Sequence, residues 1–165
     1  MQWIGRLAIM AIMFWSWGQA TEVRAAGNVF ERVSLTGLES IQVVVEDLAA
    51  DITQDGLKRE QIKTAVEQQL ERAAIAVEPQ AENALYVYLG TVKNPDGSYS
   101  FSLSLQLLQL VLLFRDPGLA TWGTTWSIDQ VGSVTPTDIG EIHTRITRCV
   151  HAFIRDYQTA NPIQN

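Results

Sequence analysis

Disulfide bonds cannot shape this protein, because its 165 residues include a single cysteine, Cys149. Positive charge is also scarce: 12 Lys and Arg residues stand against 18 Asp and Glu, which gives a formal net charge of −6 at pH 7. No run of basic residues occurs, so nucleic acid and anionic membrane surfaces are poor partners on electrostatic grounds. The fold must rest on an apolar core, and a hydrophobic share of 47% is enough to build one.

Soft metal ligands are equally few. His143, Cys149 and His151 fall on one predicted helix, but two ligands that share a helix face are three or four residues apart, and these neighbours are six and two apart. We therefore expect no metal and no cofactor. Cys149 borders an apolar stripe and is predicted to be a packing residue rather than a nucleophile. The sequence also lacks a Gly-x-Ser-x-Gly nucleophile motif and a phosphate-binding glycine pattern.

One acidic cluster, Glu46, Asp47 and Asp51, follows the first predicted strand. Paired carboxylates serve glycoside hydrolysis and calcium binding, but this cluster lacks the alternating ligand spacing of a calcium loop. We interpret it as the solvated end of a strand. A hydrolase that uses these three carboxylates remains an alternative hypothesis.

The N-terminus resembles a secretory signal peptide. Arg6 precedes an uninterrupted apolar run over residues 7–17, and small residues follow it, Ala20, Ala25 and Ala26. We expect residues 1–25 to be removed, by cleavage between Ala20 and Ala26, which predicts a periplasmic protein. The run is shorter than the roughly 20 residues of a membrane-spanning helix, so no transmembrane span should remain, although an uncleaved anchor is the alternative. No cysteine follows the small residues, which excludes a lipid anchor of the lipoprotein type.

The central feature is the stretch over residues 99–114, in which apolar residues alternate with Ser and Gln as in a half-buried strand. Other strands are predicted at residues 40–45, 75–78, 85–92 and 119–131, and amphipathic helices at residues 58–74 and 135–157. The order β-α-β-β-β-β-α predicts an α+β two-layer sandwich, with a mainly antiparallel sheet of four or five strands and both helices on one face. A lead-in over residues 26–39 precedes a single domain, residues 40–160, and a tail, residues 161–165.

Two chain reversals are predicted within this domain. Pro95-Asp96-Gly97 should form the first hairpin turn, and residues 115–118 the second. Beyond the second turn, period-2 alternation places Trp122, Thr124, Trp126 and Ile128 on one face of the last strand.

Late in the central strand both faces become apolar. Four large residues continue the face that carries the serines, namely Leu108, Leu110, Leu112 and Phe114. A bulge near Leu107 would change the register, and without one these side chains leave a patch of a few hundred Å², the size that marks a partner or ligand surface. We predict that this end of the sheet is an interface.

Several short motifs carry a resemblance to known proteins. They are Ala84-Leu85-Tyr86-Val87, Asp96-Gly97-x-Tyr99, Arg115-Asp116, Thr121-Trp122, Phe153-Ile154-x-Asp156-Tyr157 and Ala160-Asn161-Pro162. This set is similar to a family of exported bacterial α+β proteins to which no catalytic or binding residues are assigned. The order of elements also resembles transport auxiliary lipoproteins and the amino-terminal domain of TolB. The resemblance implies an exported location and the α+β fold.

These features together predict a non-enzymatic accessory or interaction protein of the bacterial cell envelope. Its expected partner is another envelope protein or a second copy of itself. The alternative is a carrier that holds a small apolar or lipid-like molecule against the sheet. Fold analogy alone does not decide between these functions.

Overall fold

The structure is a computed structural model that describes residues 29–162. The predicted signal peptide and the end of the predicted tail lie outside the described residues. Along the chain the elements are α1 (Val29–Val33), β1 (Ser40–Val45), α2 (Ala50–Gln54), α3 (Arg59–Arg72), β2 (Ala76–Val77), β3 (Ala84–Lys93), β4 (Tyr99–Leu113), β5 (Asp116–Val134), a 3₁₀ turn (Pro136–Asp138) and α4 (Gly140–Ala160).

The strands form one five-stranded sheet in the order β2-β1-β3-β4-β5. β1 lies parallel to both of its neighbours, β2 and β3. The three strands β3, β4 and β5 form an antiparallel meander, which contains most of the paired residues. The predicted α+β fold, with its order β-α-β-β-β-β-α, is confirmed, and the sheet is mixed because β1 is parallel to its neighbours.

One face of the sheet builds the core. Alternate residues of β1 (Ile41, Val43 and Val45) are buried, as are the odd-numbered residues of β4 from Tyr99 to Leu107. The two long helices cover this face with stripes at three- and four-residue spacing, Ile62, Val66 and Leu70 on α3 and Ile142, Ile146, Cys149, Val150 and Phe153 on α4. Both helices therefore pack on one side of the sheet and leave its other side open.

Two short helices, α1 and α2, were absent from the sequence-based prediction. Each has five residues, which is too short for a helical repeat of apolar residues to become recognisable. Leu35 and Leu38, in the segment predicted as a lead-in, are buried in the core. The chain just before β1 therefore contributes to the packing.

The first hairpin turn lies where Pro95-Asp96-Gly97 predicts it. Gly97 has a positive φ of 84°, and the amide of Asn94 donates to the carbonyl of Ser98 at 2.8 Å. The second turn was misplaced: the chain reverses at Phe114 and Arg115, and Leu113 pairs with Asp116. Residues 116–118 thus belong to β5.

Candidate functional site

The last two strands extend beyond the rest of the sheet. β3 begins at Ala84, which pairs with Leu108, so the following residues of β4 have only β5 beside them. Residues 109–123 form this two-stranded projection, which we call the arm. Within it Leu110 lies opposite Trp122 and Leu112 opposite Ala120.

A bulge separates the arm from the sheet. Leu107 pairs with Trp126, but the next residue, Leu108, pairs with Thr124, so Thr125 is an extra residue in β5. Directly opposed residues of an antiparallel pair share a face. Trp126 therefore faces the helices together with Leu107, whereas Trp122 faces the open side with Leu110. The prediction that Trp122, Thr124, Trp126 and Ile128 share one face is wrong, because period-2 alternation does not continue across a bulge.

Side chains from distant parts of the chain hold the bulge. Thr125 Oγ1 donates to Oε1 of Gln109 at 2.6 Å, and Nε2 of Gln109 donates to Oδ1 of Asn83 at 3.2 Å. Ser34, just after α1, donates from its hydroxyl to the carbonyl oxygen of Thr125 at 3.1 Å. Thr125 thus forms hydrogen bonds with Gln109 of β4 and with Ser34 of the N-terminal segment.

This bulge lies in β5, so the alternation of β4 continues as far as Leu112, where a second register shift precedes the turn. Leu108 is half-buried, but Leu110 is 60% exposed and Leu112 is 68% exposed, and Phe114 at the tip is fully exposed. Trp122, opposite Leu110, is 58% exposed. We call the surface made by Leu108, Leu110, Leu112 and Trp122, together with Phe114 at its tip, the arm face. The structure places three of the four predicted interface residues, Leu108, Leu110 and Leu112, on one side of the strand and the fourth, Phe114, in the turn at the tip, and it adds Trp122 to that side.

The arm face carries no ionisable side chain. From Phe101 to Ile128 the chain has only two charged residues, Arg115 and Asp116, which are neighbours of opposite sign at the tip. Leu119, near the tip on β5, is also 48% exposed. The surface is therefore apolar and locally neutral on a protein whose net charge is −6.

Hydrogen-bonded polar side chains border the arm face on the sheet side. Thr124 Oγ1 donates to Oε1 of Gln106 at 3.1 Å, and Nε2 of Gln106 donates to Oγ of Ser104 at 2.9 Å. Ser100 and Ser102 continue this row and are exposed. The open side of the sheet thus divides into a polar region over its centre and an apolar region on the arm.

The acidic cluster has separate structural partners. Glu46 Oε2 accepts a 2.6 Å hydrogen bond from the Tyr86 hydroxyl, and this bond is the main reason that the pKa of Tyr86 is raised. Asp47 forms a 2.9 Å ion pair with Arg59, and Asp51 accepts from the amide of Ile52 at 2.8 Å. Each carboxylate is engaged by its own neighbour rather than by a shared ligand.

The other candidate ligands lie in different surroundings. His143 is half-buried, and desolvation lowers its pKa. Cys149 is fully buried, and His151 is exposed. Over residues 29–162 no group of three or more His, Cys, Asp and Glu side chains could hold a metal ion. In the same range no helix is both long enough and apolar enough to cross a membrane.

Comparison with known proteins finds solved structures of partial similarity at low identity. No protein-family model and no curated protein sequence matches the chain. Among solved structures, the PelC L103M dodecamer from Paraburkholderia phytofirmans is similar with a TM-score of 0.38 and 11% identity, covering 74% of this chain and 87% of that chain. A minor lipoprotein from Acinetobacter baumannii has a TM-score of 0.34 and 9% identity, covering 74% and 93%. Neither likeness carries a function to this chain.

Proposed function

We propose that this chain is a non-enzymatic accessory protein of the bacterial cell envelope that acts by binding another protein through the arm face. The observation that carries the proposal is the exposure of Leu110, Leu112 and Trp122 on one side of a projecting hairpin, with Phe114 exposed at its tip. Contiguous apolar surface of a few hundred Å² with a polar border is typical of interaction sites.

The composition of the arm face supports a protein partner. Tryptophan and phenylalanine are enriched in the residues that contribute most to binding energy, and charged residues are depleted from the centres of interfaces. Trp122 lies opposite Leu110 in the ladder, with the charged pair Arg115 and Asp116 confined to the tip. The surface therefore has an aromatic anchor, aliphatic neighbours and a polar rim at Thr124.

The shape of the arm distinguishes a protein partner from a small apolar ligand. Pockets for small molecules enclose most of the ligand surface. The arm face is one side of two paired strands, so it covers a ligand from one side only. A carrier should retain a bound molecule through purification, and mass spectrometry under non-denaturing conditions would detect it as added mass. Such a molecule would support the carrier function in place of the proposed one.

The envelope location is supported by the first 25 residues, with Arg6, the apolar run and the small residues that follow. Amino-terminal sequencing of protein isolated from the periplasm tests it. A first residue between Thr21 and Ala26 is expected. Recovery of a chain that still begins at Met1 would contradict removal of the segment.

Binding through the arm face is tested by site-specific photocrosslinking in living cells. A crosslinking amino acid at Leu112 should give a discrete adduct, whereas one at Ser102, exposed on the same face of the same strand, should give none. Equal adducts at the two positions, or none at Leu112, would contradict the proposal.

Double replacement of Glu46 and Asp47 by Ala tests the hydrolase alternative, because an envelope-degrading activity that disappears in this variant would show an enzyme.

A further inference from the structure

We infer that the protein bound by the arm face is a second copy of the same chain, whose own arm face packs against the first about a two-fold axis. The inference rests on the proposed function and names its partner. Three features of the structure support it: the area of the arm face, its charge, and the orientation of its side chains relative to the edge of the sheet.

The first argument is area. From the exposed fractions of Leu110, Leu112, Trp122 and the tip residue Phe114, the arm face offers on the order of 600 Å² of accessible surface, against the roughly 800 Å² that each partner of a stable complex buries. Both copies contribute the same surface in a two-fold contact. Two copies would thus bury about 1,200 Å² in total, the lower end of the range for specific complexes, so we expect a weak, reversible dimer.

The second argument is charge. Copies with a net charge of −6 repel one another at long range, so a contact between them is favoured where neither copy presents charge. The arm face is such a place, since between Phe101 and Ile128 the chain carries only two charged residues, Arg115 and Asp116, which have opposite signs. A basic partner would instead be attracted to acidic residues, and the arm face contains none. An uncharged apolar surface is complementary to a copy of itself.

The third argument is geometry. β5 is an edge strand, and antiparallel pairing of two β5 edges about a two-fold axis would leave the same face of both copies on the same side. Trp122 and Leu110 would then remain exposed. Face-to-face packing, in which two sheets lie about 10 Å apart, places the side chains of one arm between those of the other. Only this arrangement removes the Trp122 and Leu110 side chains from water.

Sedimentation velocity of the exported protein purified from cells tests the inference. We expect a monomer–dimer equilibrium over a range from about 1 to 100 µM. Leu110→Lys places a charge at the centre of the contact and should raise the dimer dissociation constant by about 100-fold, as replacement of a central interface residue does. Ser102→Lys adds the same charge on the same face outside the arm and should leave the dissociation constant unchanged.

Two further variants test the same contact in case Leu110→Lys fails to fold. Phe114 is fully exposed and Trp122 is 58% exposed, so Phe114→Glu and Trp122→Lys should retain a cooperative thermal transition while weakening the dimer. Dimers that persist in all three arm variants would overturn the inference, and they would indicate association through another surface, such as the β5 edge.

The photocrosslink at Leu112 separates failure of this inference from failure of the proposed function. An adduct with twice the mass of the chain is expected. A monomer throughout the concentration range, together with an adduct to a different protein, would overturn self-association and leave the binding function standing. A monomer with no adduct would overturn both.

Discussion

Trp126 donates a hydrogen bond from its indole Nε1 to Oδ2 of Asp156 over 3.0 Å. Its ring also meets that of Phe153 in an edge-on arrangement, with 5.1 Å between centroids and an interplanar angle of 76°. Trp126 is only 1% exposed and directly follows the bulge residue Thr125. The contacts of this one residue therefore fasten β5 to α4 at the point where the arm leaves the sheet.

Trp126→Phe should destabilise the fold by about 2 kcal/mol, because it removes buried ring atoms and leaves Asp156 without the indole donor. The matched control is Trp122→Phe, which changes an exposed tryptophan of the same strand and should alter stability by no more than about 0.5 kcal/mol. Urea unfolding of dilute protein measures both. Equal losses in the two variants would contradict the different placement of the two tryptophans.

Asp55 is the acceptor in a cluster that ties the loop after α2 to the β3–β4 hairpin. The Tyr99 hydroxyl donates to its Oδ2 at 2.6 Å, and Lys93 Nζ lies 3.0 Å from the same oxygen. The hydrogen bond from Tyr99, followed by that from Lys93, holds the pKa of Asp55 below its ordinary value of 3.8.

A carboxyl group whose pKa is lower in the folded than in the unfolded chain stabilises the fold above its unfolded pKa. This contribution of Asp55 is fully present at neutral pH and is lost as the pH falls below 3.8 and through the folded pKa. Asp55→Asn should therefore be less stable than the natural chain at pH 7, and the difference should shrink in acid. Urea unfolding at a series of pH values measures it. Glu82→Gln removes one exposed negative charge as a control, and an identical pH profile in the two variants would argue against the cluster.

Cys149 is buried in the helix–sheet interface. Its thiol should react slowly with alkylating reagents in the native protein and rapidly in denaturant. Cys149→Ala should cost about 1 kcal/mol through lost packing, as small core truncations do, and should leave dimer formation unchanged. Rapid labelling of the folded protein, with loss of association, would contradict a purely structural role.

Gly132 lies beneath an aromatic ring. A Cβ atom at this position would stand 2.8 Å from Cζ and 3.0 Å from Cε1 of the buried Phe101, closer than real Cβ atoms approach. Gly132→Ala should therefore destabilise the fold by about 1 to 3 kcal/mol. A Cβ atom at Gly140, the first residue of α4, would meet no atom within 4 Å, so Gly140→Ala should be neutral or slightly stabilising. Thermal unfolding of the two variants provides the measurement, and equal transition temperatures would contradict the close contact at Gly132.

Much of this fold is determined by the sequence through local periodicity. Richness in β-branched residues predicts β1 over the residues that form it, Ser40–Val45, and alternation predicts β4 to within one residue. Three- and four-residue spacing identifies α3 and α4, and the turn residues around Gly97 place the first hairpin. These features are predictable because each depends on residues a few positions apart in the chain.

The candidate surface was predicted in part for the same reason. Leu110 and Leu112 share a face because the alternation of β4 is unbroken. Their exposure, however, depends on where β3 begins and on which side the two helices pack, and neither is encoded in β4 itself.

The position of Trp122 was decided only by tertiary structure. The extra residue Thr125 is held by Gln109 on the neighbouring strand and by Ser34, 91 residues away in sequence. A period-2 pattern contains no information about such bonds, so it cannot show where the alternation breaks. The direction of side chains along one strand is a local property. The position of a bulge depends on residues elsewhere in the fold that form hydrogen bonds with the extra residue.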